Sequence, residues 1–151
     1  MPPDDDDRQR LFRLLNEIGI IAQLSGTAFE RVMPGEMTLS RFVVLNHLTR
    51  VGDNRTPLSI ANAMQVTKGA MTNTLGHLER QNLVAIVPDA TDGRSKRVSL
   101  TDAGRAAHRA AIAALAPELD GLSGEMAVEE IARALPVLEK LRKVLDARRD
   151  G

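Results

Sequence analysis

Residues 67–104 read TKGAMTNTLGHLERQNLVAIVPDATDGRSKRVSLTDAG, and the order of patterns inside this stretch decides the fold. Thr67 suits a helix N-cap, and Met71, Leu75 and Leu78 follow at helical spacing, leaving Lys68, Thr72, Asn73, Gly76 and His77 on other faces. After Gln81-Asn82 the period changes: Leu83 to Val87 is a short β-prone run, broken by Pro88 and Asp89. A second run covers Arg97 to Leu100. The nine residues between, Pro88 to Lys96, are too polar for a core and are predicted to project as a hairpin tip carrying Arg94 and Lys96. A helix with one packed side followed by such a hairpin describes a recognition helix and a wing.

Working outward, Thr56-Pro57 is a favourable cap and first position for a short helix with Ile60, Ala61 and Met64. Together with the break at Gln65-Val66 and the helix from Thr67 it forms a helix-turn-helix, with Ala61 small where the two helices approach. Thr38 caps an earlier helix using Leu39, Phe42, Val43, Leu45 and Leu48 and ending at Gly52. From Arg8 to about Val32, Leu11, Leu15, Ile18, Ala22, Phe29 and Val32 form one stripe, and Leu14, Ile21, Leu24 and Ala28 another. That arc is too broad for one neighbour. A helix of about 25 residues is roughly 37 Å long, so part of it is expected to pack on a second subunit.

Downstream, Thr101 caps an alanine-rich helix from Asp102 through Ala116, which Pro117 is expected to kink or end. After Ser123-Gly124 a last helix, Val128 to Arg148, repeats Val128, Ile131, Leu135, Leu138, Leu141 and Leu145, with a bend at Pro136. The predicted fold is mainly α with a small β-hairpin wing, a winged helix-turn-helix with a helical dimerisation region formed by the N- and C-terminal helices. The division is residues 1–7 as a disordered acidic leader, 8–35 as a dimerisation helix, 36–100 as the winged lobe and 101–148 as C-terminal dimerisation helices, one structural domain over 8–148.

Composition restricts function. The 151 residues fit one ordinary domain, and cysteine is absent, which excludes disulfides, thiolate metal sites and thiol redox sensing. With no signal-peptide pattern and no long apolar run, no membrane association is expected and the expected location is cytoplasmic. Net charge is zero, yet setting aside Asp4 to Asp7 leaves 16 acids against 20 bases, a surplus of four. Within 67–97 the bases Lys68, Arg80, Arg94, Lys96 and Arg97 outnumber Glu79, Asp89 and Asp92. His47, His77 and His108 lack ligand spacing, so neither a metal nor a cofactor is expected. No Ser/His/Asp grouping, phosphate loop or paired carboxylate motif points to an enzyme.

The stretch from Pro88 through Asp92, Arg94 and Leu100-Thr101-Asp102-Ala103-Gly104 resembles the wing signature of the MarR family of bacterial regulators: an acid, Asp-x-Arg, then Leu-Thr-x-x-Gly opening a helix. Thr67 to Leu83 resembles that family's recognition helix, and the likeness extends over about residues 8–148. The resemblance implies a homodimer with two winged lobes that binds a pseudo-palindromic operator in double-stranded DNA, a repressor released by a small-molecule effector. Three positions depart from the family pattern. Asn82 stands where glycine is usual, which Asn's tolerance of positive φ permits, and Ala90 and Gly93 replace a frequent proline and arginine.

For DNA contact the candidates are Thr67, Lys68, Gly69, Ala70, Thr72, Asn73 and His77 on the recognition helix and Arg94, Ser95 and Lys96 on the wing. Thr67 and Lys68 at the helix N-terminus suit phosphates, Thr72 and Asn73 base edges, and Gly69 and Ala70 allow close approach. Arg94 suits a narrow minor groove, with Asp92 orienting its side chain, Asp89 shaping the wing, and Ser95 and Lys96 holding phosphate. The bland alternative is a solvated helix face and hairpin tip. An effector pocket is placed by family analogy near Phe29, Phe42 and His47. The competing function is a winged-helix protein-interaction module without DNA binding.

Overall fold

A computed structural model describes Met1 and residues 4–149. Among the described residues seven helices and one hairpin follow in the order α1 (Asp5–Val32), α2 (Leu39–Val51), α3 (Pro57–Met64), α4 (Lys68–Arg80), β1 (Val84–Pro88), β2 (Lys96–Leu100), α5 (Asp102–Ala114), α6 (Ala116–Ser123) and α7 (Val128–Arg149). Each of α2 to α5 starts at a threonine whose hydroxyl accepts an N–H three residues on: Thr38 from Arg41, Thr56 from Ser59, Thr67 from Ala70 and Thr101 from Gly104. These bonds satisfy donors that the first helical turn leaves without partners.

The start of α1 corrects the expected disordered leader. Asp4 is the N-cap, accepting from the Asp7 N–H at 2.8 Å, and Asp5 to Asp7 form the first turn, with Arg8 and Arg10 paired to Asp5 and Asp6. Carboxylates belong at a helix N-terminus, where the exposed N–H groups carry partial positive charge. The remaining expected leader residues Pro2 and Pro3 lie outside the described residues.

The core is small and lies in the middle of the chain. Val44, Leu45 and Leu48 of α2, Ile60 and Ala61 of α3, Met71, Leu75 and Leu78 of α4, and Val84, Val98 and Leu100 of the hairpin bury one another. Val44, not the anticipated Val43, is the α2 valine in that core. The two strands pair antiparallel from Val84 opposite Leu100 to Pro88 opposite Lys96. Pro88 is therefore inside β1 rather than its breaker, and the connecting tip spans 89–95; an edge strand tolerates proline because its missing N–H faces away from the partner. Arg55 adds a one-residue bridge to Val98 on the other side of β2, too short to leave a sequence pattern.

The Leu-Thr-x-x-Gly motif has a packing explanation. Asn82 turns at φ 59°, bringing the Leu83 carbonyl to accept the Thr101 N–H at 3.1 Å, and the Thr101 hydroxyl donates to the Asn82 carbonyl at 2.6 Å. A Cβ on Gly104 would stand 2.0 Å from the Leu83 carbonyl oxygen, so only glycine lets α5 approach β1 this closely. The alanine-rich helix stops at Ala114, two residues earlier than expected, and Pro117 lies in the first turn of α6, where it lacks no needed donor. Helix α7 continues through Pro136.

Candidate nucleic-acid interface

Helices α3 and α4 join through Gln65, which takes the left-handed conformation at φ 54° and donates its N–H to the Asn62 carbonyl at 3.2 Å; the Val66 N–H reaches Ala61 at 3.1 Å. The turn sets α4 against the core through Met71, Leu75 and Leu78, so the positions about half a turn away look outward. Thr67, Lys68, Gly69, Ala70, Thr72 and Asn73 are all exposed. The Thr72 hydroxyl donates to the Lys68 carbonyl at 2.9 Å, which leaves it an acceptor for a donor on a ligand. His77 is half-buried, with Nδ1 at 3.0 Å from the Arg80 guanidinium.

The wing tip is organised by two carboxylates. Asp89 Oδ1 accepts from the Thr91 N–H at 2.9 Å and hydroxyl at 2.8 Å, while Oδ2 accepts from Arg97 Nε at 2.6 Å. The Thr91 N–H, then the Arg97 guanidinium, hold this carboxyl far below the usual carboxylate range. Asp92 Oδ1 accepts the backbone N–H of Arg94 at 3.1 Å, correcting the expectation that it orients the Arg94 side chain: a carboxylate two residues back closes an Asx turn on the main chain. Arg97 is turned away into the Asp89 pair and also reaches the Asn54 carbonyl at 3.3 Å. Arg94 and Lys96 are exposed and Ser95 half-buried. Among the described residues Lys68, Arg94 and Lys96 have no acidic partner within ion-pair distance.

One cleft brings helix and wing together: Thr72, Gly76 and Glu79 of α4 line it with Val87, Pro88 and Lys96 of the hairpin. The base of the wing is braced by Asp53, which accepts from the Leu100 N–H at 2.8 Å and from Arg105 at 2.6 Å. Partial burial alone would raise its carboxyl, but these two donors more than offset that and lower it.

The expected pocket trio separates. Phe29 and Phe42 meet with ring centroids 4.7 Å apart, and Phe42 stacks on His108 at 5.4 Å, an aromatic row that the spacing of the histidines did not disclose. His108 Nε2 lies 3.0 Å from Asn46 Oδ1. His47, five residues beyond Phe42, is carried around α2 to another side, where Nδ1 is 3.4 Å from the Arg50 guanidinium. Burial lowers the pKa of both His47 and His108, helped by neighbouring Arg50 and Arg109 respectively. A cavity of about 260 Å³ opens beside Phe29, with Leu39, Leu115, Leu119 and Glu118 in its wall; neither Phe42 nor His47 lines it. A much larger apolar groove of about 1080 Å³ runs between α1 and α7, past Leu15, Ile18, Ile21, Leu138 and Leu141. Among the described residues no cluster of three His, Asp or Glu is placed to hold a metal ion, and no helix is long and apolar enough to cross a membrane.

Residues 36–95, which hold the helix-turn-helix and most of the wing, match the MarR family model. Over this segment the chain is similar to the MarR family. Over 99 residues it is 32% identical to the transcriptional activatory protein BadR of Rhodopseudomonas palustris, an alignment covering 64% of this chain and 55% of that one. The chain thus spans about half the length of this curated relative. Among solved structures, BldR from Sulfolobus solfataricus superposes with a TM-score of 0.73 at 23% identity, covering 91% of this chain and 99% of that one. A mutant of MarR from E. coli complexed with operator DNA superposes at 0.70 and 23% identity, covering 87% and 95%. These superpositions show that the chain has the same winged-helix fold, with α4 as the second helix of the motif.

Proposed function

We propose that this protein is a homodimeric transcriptional regulator that lays α4 of each protomer in the major groove of a pseudo-palindromic operator while the Arg94 tip enters the adjoining minor groove. The carrying observation is the shared cleft: Thr72 and Lys96 line one concavity, so the outward face of α4 and Lys96 of the wing address the same ligand. Thr67 and Lys68 meet phosphates at the helix N-terminus, Thr72 and Asn73 meet base edges, Gly69 and Ala70 allow the approach, and Ser95 and Lys96 take backbone. Asp89 and Asp92 shape the tip. His77 contributes through Arg80 rather than by direct base reading. The match of residues 36–95 to the MarR family model and the operator-bound MarR structure support the DNA reading.

The second protomer is supplied by the apolar faces of α1, α6 and α7. Helix α7 has no buried residue among those described, although Leu135, Leu138 and Leu145 lie along it. Its groove against α1 is the seat for a second copy, and the two lobes then present their α4 helices to half-sites one turn, about 34 Å, apart. The cavity beside Phe29, backed by Phe42, is the place for a small effector that changes the spacing of the lobes and releases the operator, which makes the protein a repressor acting by occupancy in the cytoplasm. A PcaV structure from Streptomyces coelicolor is described in complex with its natural ligand, which supports an effector here. The name of BadR favours a second reading, activation from the same DNA-bound dimer.

The test is a binding titration of the purified dimer on the DNA upstream of its own gene across salt concentrations. Strong salt dependence is expected, and Arg94→Ala is expected to weaken affinity about tenfold near 0.1 M salt while the dimer persists. No binding to that DNA or to random duplex at low salt would favour a protein-docking module. Transcription in vitro from the bound promoter separates repression from activation.

A further inference from the structure

A second cleft, of about 550 Å³, lies on α4 away from the wing and is lined by Glu36, Thr38, Arg41, His77 and Arg80. Gly69, Asn73, Gly76 and Arg80 succeed one another along the outward line of α4, and a Cβ on Gly76 would stand 3.5 Å from Arg80 Nη1, so the guanidinium folds back over that face. Arg80 Nη2 is 3.0 Å from His77 Nδ1. Arg41 comes from the first turn of α2 and gives one donor to the Glu36 carbonyl. Among the described residues neither guanidinium has an acidic partner within ion-pair distance. Glu36, the acid in the cleft wall, is engaged by the Gln81 amide at 2.8 Å. A guanidinium has five N–H donors, so most of those on Arg41 and Arg80 are left for a ligand.

We propose that Arg41 and Arg80, with His77 positioning Arg80, form a seat for a backbone phosphate of duplex DNA on the rim of the major groove opposite the wing. The proposal rests on the DNA-binding reading above. Helix α4 has 13 residues and is therefore about 20 Å long, whereas the groove is about 12 Å wide. A helix that enters by its N-terminal end must leave its C-terminal end, where Arg80 stands, against the sugar-phosphate rim. The wing grips one flank of the groove through Ser95 and Lys96, and the Arg41–Arg80 cleft grips the other. Guanidinium forks match phosphate geometry, and contacts of this kind set register without reading sequence.

The test compares wild type, Arg41→Gln, Arg80→Gln and Arg80→Lys on the upstream DNA and on random duplex over a range of salt. Each glutamine variant is expected to weaken both duplexes by a similar factor, about fivefold to tenfold near 0.1 M salt, and to make the slope of log affinity against log salt shallower by about one; Arg80→Lys recovers most of the slope. Ethylation interference with the wild-type protein is expected to mark phosphates on the rim away from the wing, a readout independent of any variant's folding. Wild-type affinity and slope in both glutamine variants, or no interference on that rim, would overturn the seat while leaving the DNA reading intact. Loss confined to the upstream sequence would overturn it in favour of base recognition. If inorganic phosphate shifts the His77 ring signals yet the variants bind DNA like wild type, the cleft is a free-anion site and the backbone assignment is wrong. Failure of the wild type to bind any duplex would overturn both readings.

Discussion

At the residue scale the tightest constraint falls on Gly104, where the Leu83 carbonyl occupies the space of a side chain. Main-chain atoms cannot rotate aside as a flexible side chain would, so α5 must shift off the hairpin to admit a methyl group. Gly104→Ala is expected to destabilise the fold by about 1 to 3 kcal/mol despite the better helix propensity of alanine. Chemical denaturation checks this: a midpoint equal to or above wild type would show that α5 is not pinned there. Thr101 shares the junction with three bonds, its N–H to Leu83, its hydroxyl to Asn82 and its acceptance of the Gly104 N–H. Both residues were legible as a motif, but the collision that explains the glycine involves a carbonyl 21 positions away and no local pattern shows it.

At the element scale the wing depends on Asp89. Its carboxylate ties Thr91, Asp92 and Arg97 into one tip, with the acid largely covered and Arg97 half-exposed. Since the folded pKa lies below the ordinary value of 3.8, the contribution is fully present above that value and is lost as pH falls below it toward the folded one. Asp89→Asn keeps the shape but removes the charge, placing an amide donor against the Arg97 guanidinium in one of its two orientations. Faster amide exchange at Thr91 and Asp92 is expected, with a smaller loss of DNA affinity than Arg94→Ala causes; unchanged exchange would show that the strands alone hold the tip. The capping threonines and the change of period at Gln81-Asn82 made α3, α4 and the hairpin readable. The first turn of α1 is hidden in the sequence because four consecutive acids resemble a solvated tail, and their value as cap and dipole partners appears only when a helix begins there.

At the scale of the whole molecule, the terminal helices have apolar faces that one protomer does not cover. Leu138 is 40% exposed and lines the α1–α7 groove. Leu138→Lys is therefore expected to leave helix content unchanged while weakening the proposed dimer by about tenfold or more, as a charge replaces a buried anchor. Sedimentation velocity at several concentrations decides the matter, and an unchanged association constant would move the interface elsewhere. The large groove and the small cavity beside Phe29 are separate spaces with no lining residue in common, so a second copy in one leaves the other open to an effector.

Short-range chemistry was enough for the helix starts, the hairpin and the outward face of α4, because caps, hydrophobic period and turn residues act within a few positions of one another. Only the folded chain revealed the Arg41–Arg80 cleft, the row of Phe29, Phe42 and His108, and the brace from Asp53 to Leu100 and Arg105. Each of these joins groups from distant parts of the chain, and their distances follow from how α1, α2, α4, α5 and the hairpin pack together, a property no single segment contains.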